Sequence, residues 1–256
     1  MAEPGSEPSG KAGDLKSPAR QNLILGVLFI VAILVIGAWQ ITKRLSLEHQ
    51  MVAAAPDTVA LNPAFAHLAD AMGPGLYASH CASCHGADMK GAPGKNAPNL
   101  IDKAWMYDRG EVSDIERMIL WGARSGVGKS RNITDMPPVG RMKILTPEEI
   151  TQVVEYVVQL SGRPANPALA QLGHALFQNK GNCYDCHSSD GRGNPDYGST
   201  DFTAGVYLWG GDRASLFRTV RDGRHGLMPA YFQQLNPAQI RALSIYIYRR
   251  SHPPHG

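Results

Sequence analysis

Cysteine is scarce in this 256-residue chain, and none of it is spare. The four cysteines, Cys81, Cys84, Cys183 and Cys186, fall into two C-x-x-C pairs, which leaves no thiol for a long-range disulfide. Net charge is nearly absent too: a formal value of +3 is too small to imply a nucleic-acid partner. From Asp70 to Ala165 eleven acidic residues balance eleven basic ones, and from Asn166 onward six stand against nine. Disorder is excluded as the overall state, because hydrophobic residues make up 43% of the chain and charged residues only 18%.

Polar side chains are missing altogether between Leu23 and Trp39, and Ile41 can extend that run. At 1.5 Å per residue the 23–41 stretch spans roughly 28 Å, close to the hydrocarbon thickness of a bilayer. A buried core helix would show a polar face. A signal peptide would have a shorter apolar region with a cleavage site close behind it, whereas the nearest small residues, Ala53, Ala54 and Ala55, lie beyond Lys43 and Arg44. The run therefore reads as an uncleaved transmembrane helix over 23–41. A disordered, Gly-, Pro- and Ser-rich tail over 1–22 precedes it, and a linker over 42–62 follows. Lys11, Lys16 and Arg20 before the span, against Lys43 and Arg44 after it, lean slightly toward a cytoplasmic N-terminus.

The remainder repeats itself. "MGPGLYASHCASCHGADMKG" and "LGHALFQNKGNCYDCHSSDGRG" each place a glycine (Gly73, Gly173) four residues before an aromatic (Tyr77, Phe177), and then C-x-x-C-H. "LTPEEITQVVEYVVQL" and "LNPAQIRALSIYIYRR" close the two copies. Thr146 or Asn236 caps a predicted helix, with Pro147 or Pro237 at its first position and Glu149 or Gln239 as reciprocal cap partner. Ile150, Val153, Val154 and Val157 form an apolar stripe, as do Ile240, Leu243 and Ile247. The copies divide the body into domains over 63–162 and 163–256. Each is short and loop-rich, with few apolar residues for a core, so it needs something large and apolar at its centre.

A lone C-x-x-C could be a redox dithiol or half of a zinc site. A dithiol has no need of a following histidine, and zinc would want its second pair near in sequence. C-x-x-C-H is the attachment pattern of c-type haem: two thioethers to the porphyrin vinyls, and the next residue's imidazole to the iron. Cys81, Cys84 and His85 would hold one haem, and Cys183, Cys186 and His187 a second. In bacteria this attachment is made outside the inner membrane, which places the body in the periplasm.

Function then depends on the iron's other face, since two protein ligands suit electron transfer and an open face suits oxygen or peroxide. Aligning Arg124 with Arg224 and Gly126 with Gly226 leaves an eight-residue insertion in the first copy, after which Met136-Pro137 matches Met228-Pro229. Shared placement before the terminal helix marks Met136 and Met228 as sixth ligands, each taken to serve the haem of its own copy. Met89, Met106, Met118 and Met142 read as gap-filling core residues. His225 competes with Met228, but in this alignment its counterpart is Ser125, which cannot ligate. His80, His174, His252 and His255 have no counterparts and read as surface or packing residues. Arg124 and Arg224 could pair with haem propionates or be solvated. Each proximal imidazole should donate to a carbonyl, that of Pro98 in "NAPNL" and of Thr200 in "GSTDFT".

With these residues in hand, the sequence resembles the dihaem subunit (subunit III) of bacterial cbb3-type cytochrome c oxidases. "GARSGVGKSRNITDMPPVG" is similar to that family's first distal-methionine loop, and "DFTAGVYLWGGDRASLFRTVRDGRHGLMPAYF" to its second-domain stretch; "DKAWMYDRG" is a weaker copy of the latter's aromatic segment. The resemblance runs from about residue 60 to the end. It implies an all-α fold of two tandem class I cytochrome c domains tethered by one N-terminal transmembrane helix. It implies an electron relay in aerobic respiration rather than catalysis by the chain itself. Electrons would come from a periplasmic cytochrome c donor and pass, through a monohaem subunit, to the catalytic subunit of a haem–copper oxidase. The alternatives are a free-standing membrane-anchored dihaem carrier serving another periplasmic reductase or dehydrogenase, and a dihaem peroxidase, which would need an open iron.

Overall fold

The computed structural model describes residues 18–102, 104–132 and 135–253. The expected tail lies outside them up to residue 17, as does His255. Among the described residues the chain is helical, with isolated β-bridges and no strands. It divides into a unit ending at Leu47 and a compact body from Glu48 onward.

Helix α1, Pro18–Ala53, outruns the apolar stretch at both ends, so residues 18–22 and 42–53 are neither tail nor linker. Its window of highest hydropathy averages 2.7, and its apolar side chains from Leu23 to Ile36 are exposed, as a lipid-facing helix requires. The rest of the expected linker is part of the body. Met51 and Val59, the latter in the short helix α2 (Pro56–Val59), are fully buried. Arg241, itself buried, donates to the carbonyls of Met51 (2.8 Å) and Ala54 (2.9 Å) and to the Glu116 carboxylate (2.6 Å). Asp57 accepts from Ser113 N at 2.8 Å.

The caps expected at Thr146 and Asn236 form, and a further one forms at Asn62. Asn62 starts α3 (Pro63–His80) by accepting from Ala64 N at 2.9 Å. In α6 (Pro147–Leu160) Thr146 N donates to Glu149 at 2.8 Å while Glu149 N donates to Thr146 Oγ1 at 3.2 Å. In α10 (Pro237–Ser251) Asn236 and Gln239 make the same exchange, both at 2.9 Å. Each closes two orphan amides at a helix start.

The terminal helices pack on the opposite copy, not on their own. The α10 helix crosses α3 and packs on α5 (Val112–Trp121), whereas α6 lies against α7 (Pro167–Gln178) and α9 (Arg213–Asp222). Glycines make both crossings close: a Cβ on Gly73 would fall 2.5 Å from Tyr246 Cβ, and one on Gly173 would strike the Gln152 carbonyl. Tyr77 accordingly meets Tyr246, with ring centroids 6.4 Å apart, and Phe177 meets Tyr156 at 5.3 Å.

Two cores result. The first joins Tyr77, Cys81, Ile115 and Ile119 to Leu235, Ile240, Leu243 and Ile247. The second joins Val139, Leu145, Ile150, Val153 and Val157 to Phe177, Phe202, Leu216 and Val220. Residues 63–162 and 163–256 thus exchange their last helices, and neither stretch closes a core on its own. The reason is local: only Ser161–Asn166 separates α6 from α7, and a connection that short makes sequential helices neighbours. Met89 is buried, but Met142 is exposed and plays no part in a core. His80, His174 and His252 pack against Tyr231, Tyr156 and Tyr248.

Candidate haem sites

In the first lobe α3 ends at His80, and a single turn, α4 (Ala82–His85), carries the C-x-x-C-H residues. In the second lobe α8 (Tyr184–His187) does the same. Tyr77 Oη donates to Gly86 O at 2.7 Å and ties this turn to α3. His85 Nδ1 lies 3.0 Å from Pro98 O, and His187 Nδ1 lies 3.3 Å from Thr200 O. A carbonyl only accepts, so each Nδ1 holds the proton and each Nε2 keeps its lone pair for a metal. Burial pushes both imidazoles below their ordinary value, opposed by those same hydrogen bonds, so the neutral, ligating form prevails. His187 also stacks on Phe202, with centroids 4.5 Å apart.

The surroundings of Cys81 and Cys183 favour the thiol over the thiolate. Burial, with a smaller contribution from Cys84, pushes Cys81 up to about 11; burial and Cys186 do the same to Cys183. A reactive dithiol needs the opposite shift.

The methionines follow the helix exchange. Met136 packs against the second core, as does Cys183, and Met228 packs against the first, which includes Cys81. Each methionine therefore packs on the core that holds the C-x-x-C-H of the other copy, whereas the sequence alone assigns each to its own. Backbone pairing fixes them there. Met228 and Ala123 exchange hydrogen bonds of 2.9 and 3.1 Å, and Met136 and Arg224 exchange two of 3.1 Å. Gly122 ends α5 at φ 69° and Gly223 ends α9 at φ 68°; a Cβ on either would strike the backbone of the methionine it faces.

These cap glycines also correct the repeat register. Aligned on them, Arg224 corresponds to Ala123 and His225 to Arg124, one residue away from the arginine-to-arginine match. His225 still has no imidazole counterpart. Its ring is exposed, with Nδ1 2.9 Å from Asp135.

One cavity of about 790 Å³ runs through both sites and is lined by both C-x-x-C-H motifs, Met136 and Met228. Its wall is largely apolar. Arg224 Nε and Thr219 Oγ1 reach it buried and without hydrogen-bond partners among the described residues. The Arg224 guanidinium also lies over the Trp209 ring, 4.8 Å from its centroid. An apolar macrocycle with carboxylate substituents fits such a wall: the surface takes the ring, and the two orphaned donors take an anion. Sequence reasoning pointed to Arg224 only through a mistaken register, and it gave no weight to Thr219 or Trp209. Arg124 is not solvated either; its side chain is 13% exposed and its Nε donates to Gly226 O.

Comparison with known proteins agrees with this construction. The cytochrome c family model matches residues 71–161, and the model described as cytochrome c oxidase, cbb3-type, subunit III matches residues 168–247. The cbb3-type cytochrome c oxidase subunit CcoP of Cereibacter sphaeroides is 32% identical over 203 residues, covering 79% of this chain and 68% of that protein. Subunit FixP of Bradyrhizobium sp. (strain ORS 278) is 37% identical over 188 residues, 73% of this chain and 63% of its own. FixP of Azorhizobium caulinodans is 38% identical over 188 residues, 73% of this chain and 61% of its own. The chain thus spans less than two thirds of two of these relatives. It belongs to the CcoP/FixP family, subunit III of the cbb3-type cytochrome c oxidases, and is a membrane-anchored c-type cytochrome that binds haem c covalently.

Proposed function

We propose that the chain carries two haems c and relays electrons from a periplasmic cytochrome c donor, by way of a monohaem subunit, to the catalytic subunit of a cbb3-type oxidase. In this reading the N-terminus is cytoplasmic and the body from Glu48 onward is periplasmic. The observation that carries the reading is the single cavity that brings both C-x-x-C-H motifs and both methionines together.

Bound haem supplies a one-electron Fe(III)/Fe(II) couple. The chain's residues do the rest. Cys81 and Cys84, and Cys183 and Cys186, hold the macrocycles as thioethers. His85 and His187 present Nε2, kept neutral by burial and oriented by Pro98 and Thr200. Met228 would supply a thioether to the haem held at His85, and Met136 to the haem held at His187. Thioether sulfur is a soft ligand that raises the potential, and a filled sixth position leaves no face for oxygen or peroxide. Arg224 and Met228 stand four residues apart, at most ~14 Å of chain, and Arg224 pairs directly with Met136. One short crossover thus links the two methionine positions, a closeness that would favour direct exchange between haems bound there.

The test is purification from membranes in mild detergent, with haem staining and optical spectra. Two covalent haems per chain, low-spin spectra and a co-purifying haem–copper subunit are expected. A dihaem protein that purifies alone would point instead to a free-standing carrier, and an oxidised protein that turns over peroxide would remove the relay reading.

A further inference from the structure

The segments that deliver the two methionines cross between the lobes, and one side chain holds both. Arg124 is among the few non-glycine residues in the left-handed region, with φ 52°. Such backbone is disfavoured for a β-carbon and persists where its surroundings enforce it. The guanidinium it carries is largely buried on the cavity wall. Its Nε donates to the carbonyl of Gly226, two residues before Met228, and lies 3.5 Å from the carboxylate of Asp135, the residue before Met136. The backbone on either side is fixed as well: Arg124 N donates to Arg131 O at 2.9 Å, and the preceding Ala123 pairs with Met228. His225 adds an exposed second tie to Asp135.

We propose that Arg124 is a positioning residue for both distal methionines, coupling the two haem sites so that a disturbance of the crossover is felt at both irons. The inference rests on the reading of Met136 and Met228 as sixth ligands. A charge that merely served one haem carboxylate would act on one site. A guanidinium bridging the approaches to both methionines acts on two.

The experiment uses the full-length dihaem protein in detergent, reduced and exposed to carbon monoxide, with each haem's midpoint potential measured in parallel. Met136→Ala and Met228→Ala serve as references, each expected to make one haem reactive. Arg124→Ala should make both haems partly reactive and shift both midpoints, and Arg124→Lys, which keeps the charge and one donor, should recover part of the effect. Asp135→Ala, which leaves the Gly226 tie in place, should act chiefly at the haem that Met136 serves and more weakly than Arg124→Ala, and Arg124→Gln carries the two-haem test if Arg124→Ala does not fold. A response to the Arg124 variants that is confined to one haem overturns the proposal and assigns Arg124 to a carboxylate of that haem. No response at either haem, while both methionine variants respond, overturns it as well. Methionine variants that leave both haems unreactive would remove the ligand reading itself, and this inference with it.

Discussion

At the α3–α10 crossing of the first lobe, Gly73 lies against the ring of Tyr246; at the matching α7–α6 crossing of the second, Gly173 lies against the carbonyl of Gln152. The two lobes share a plan but differ in what surrounds it. The first is fastened to the chain that follows the anchor, through Arg241, Met51 and Glu116. The second has Glu155, buried and gripped by Arg213, joining α6 to α9. Proline supplies the carbonyl for His85, and a threonine, at a longer distance, the one for His187. The difference teaches that the repeat conserves the parts that aim ligands and lets the supports vary.

Alanine at the two cap glycines should break the comparison most severely. At Gly122 or Gly223 it adds strain from a backbone conformation open almost only to glycine, and it forces a β-carbon into the facing methionine's backbone. Each change should cost roughly 3 kcal/mol or more. Each should also expose one haem to carbon monoxide: Gly122→Ala the one at His85, and Gly223→Ala the one at His187. Chemical denaturation and ligand-binding spectra check both.

The helix crossings come next. Gly173→Ala drives its β-carbon into main chain, which cannot rotate away, and should lower stability by about 2–3 kcal/mol. Gly73→Ala meets the Cβ and Cγ of Tyr246, which move only if α10 shifts, and should cost about as much. A much smaller loss at either glycine would mean that its crossing can open.

Acid should then separate the lobes. Glu155 is held below the ordinary glutamate value of 4.5 chiefly by its hydrogen bond from Arg213, with burial opposing and the Asn166 amide assisting. A depressed carboxylate contributes stability that is complete above its unfolded value and is lost as pH falls through its folded one. Thermal melts between about pH 3 and pH 7 should show Glu155→Gln less stable at neutral pH and flatter on the acid side. The smallest effect belongs to His225→Ala. An exposed contact of this kind contributes little, so the haem spectra should stay as they are.

What was legible in the sequence was whatever local chemistry dictates. The C-x-x-C-H turns and the reciprocal caps at Thr146 and Asn236 depend on neighbours a few residues away, and the carbonyls of Pro98 and Thr200 lie thirteen residues from the histidines they serve. The exchange of helices was not legible from periodicity, because α6 and α10 present similar apolar stripes and a stripe names a face without naming its partner. The six residues between α6 and α7 were the available signal. The arginine match misled the register by one residue, since Arg124 and Arg224 look alike but sit differently; the glycines that end α5 and α9 mark the equivalence better. Met142 failed as a core residue because a thioether fills a gap only where the fold leaves one.

Exchanged ligation is the claim on which the rest depends, and single-haem proteins test it directly. With Cys81 and Cys84 both replaced by alanine, only the haem at Cys183 and Cys186 remains. Exchanged ligation requires that adding Met136→Ala makes this haem bind carbon monoxide in its reduced form, and that adding Met228→Ala leaves it unreactive. If Met228→Ala opens that haem and Met136→Ala does not, each copy serves its own iron and the exchanged assignment is wrong.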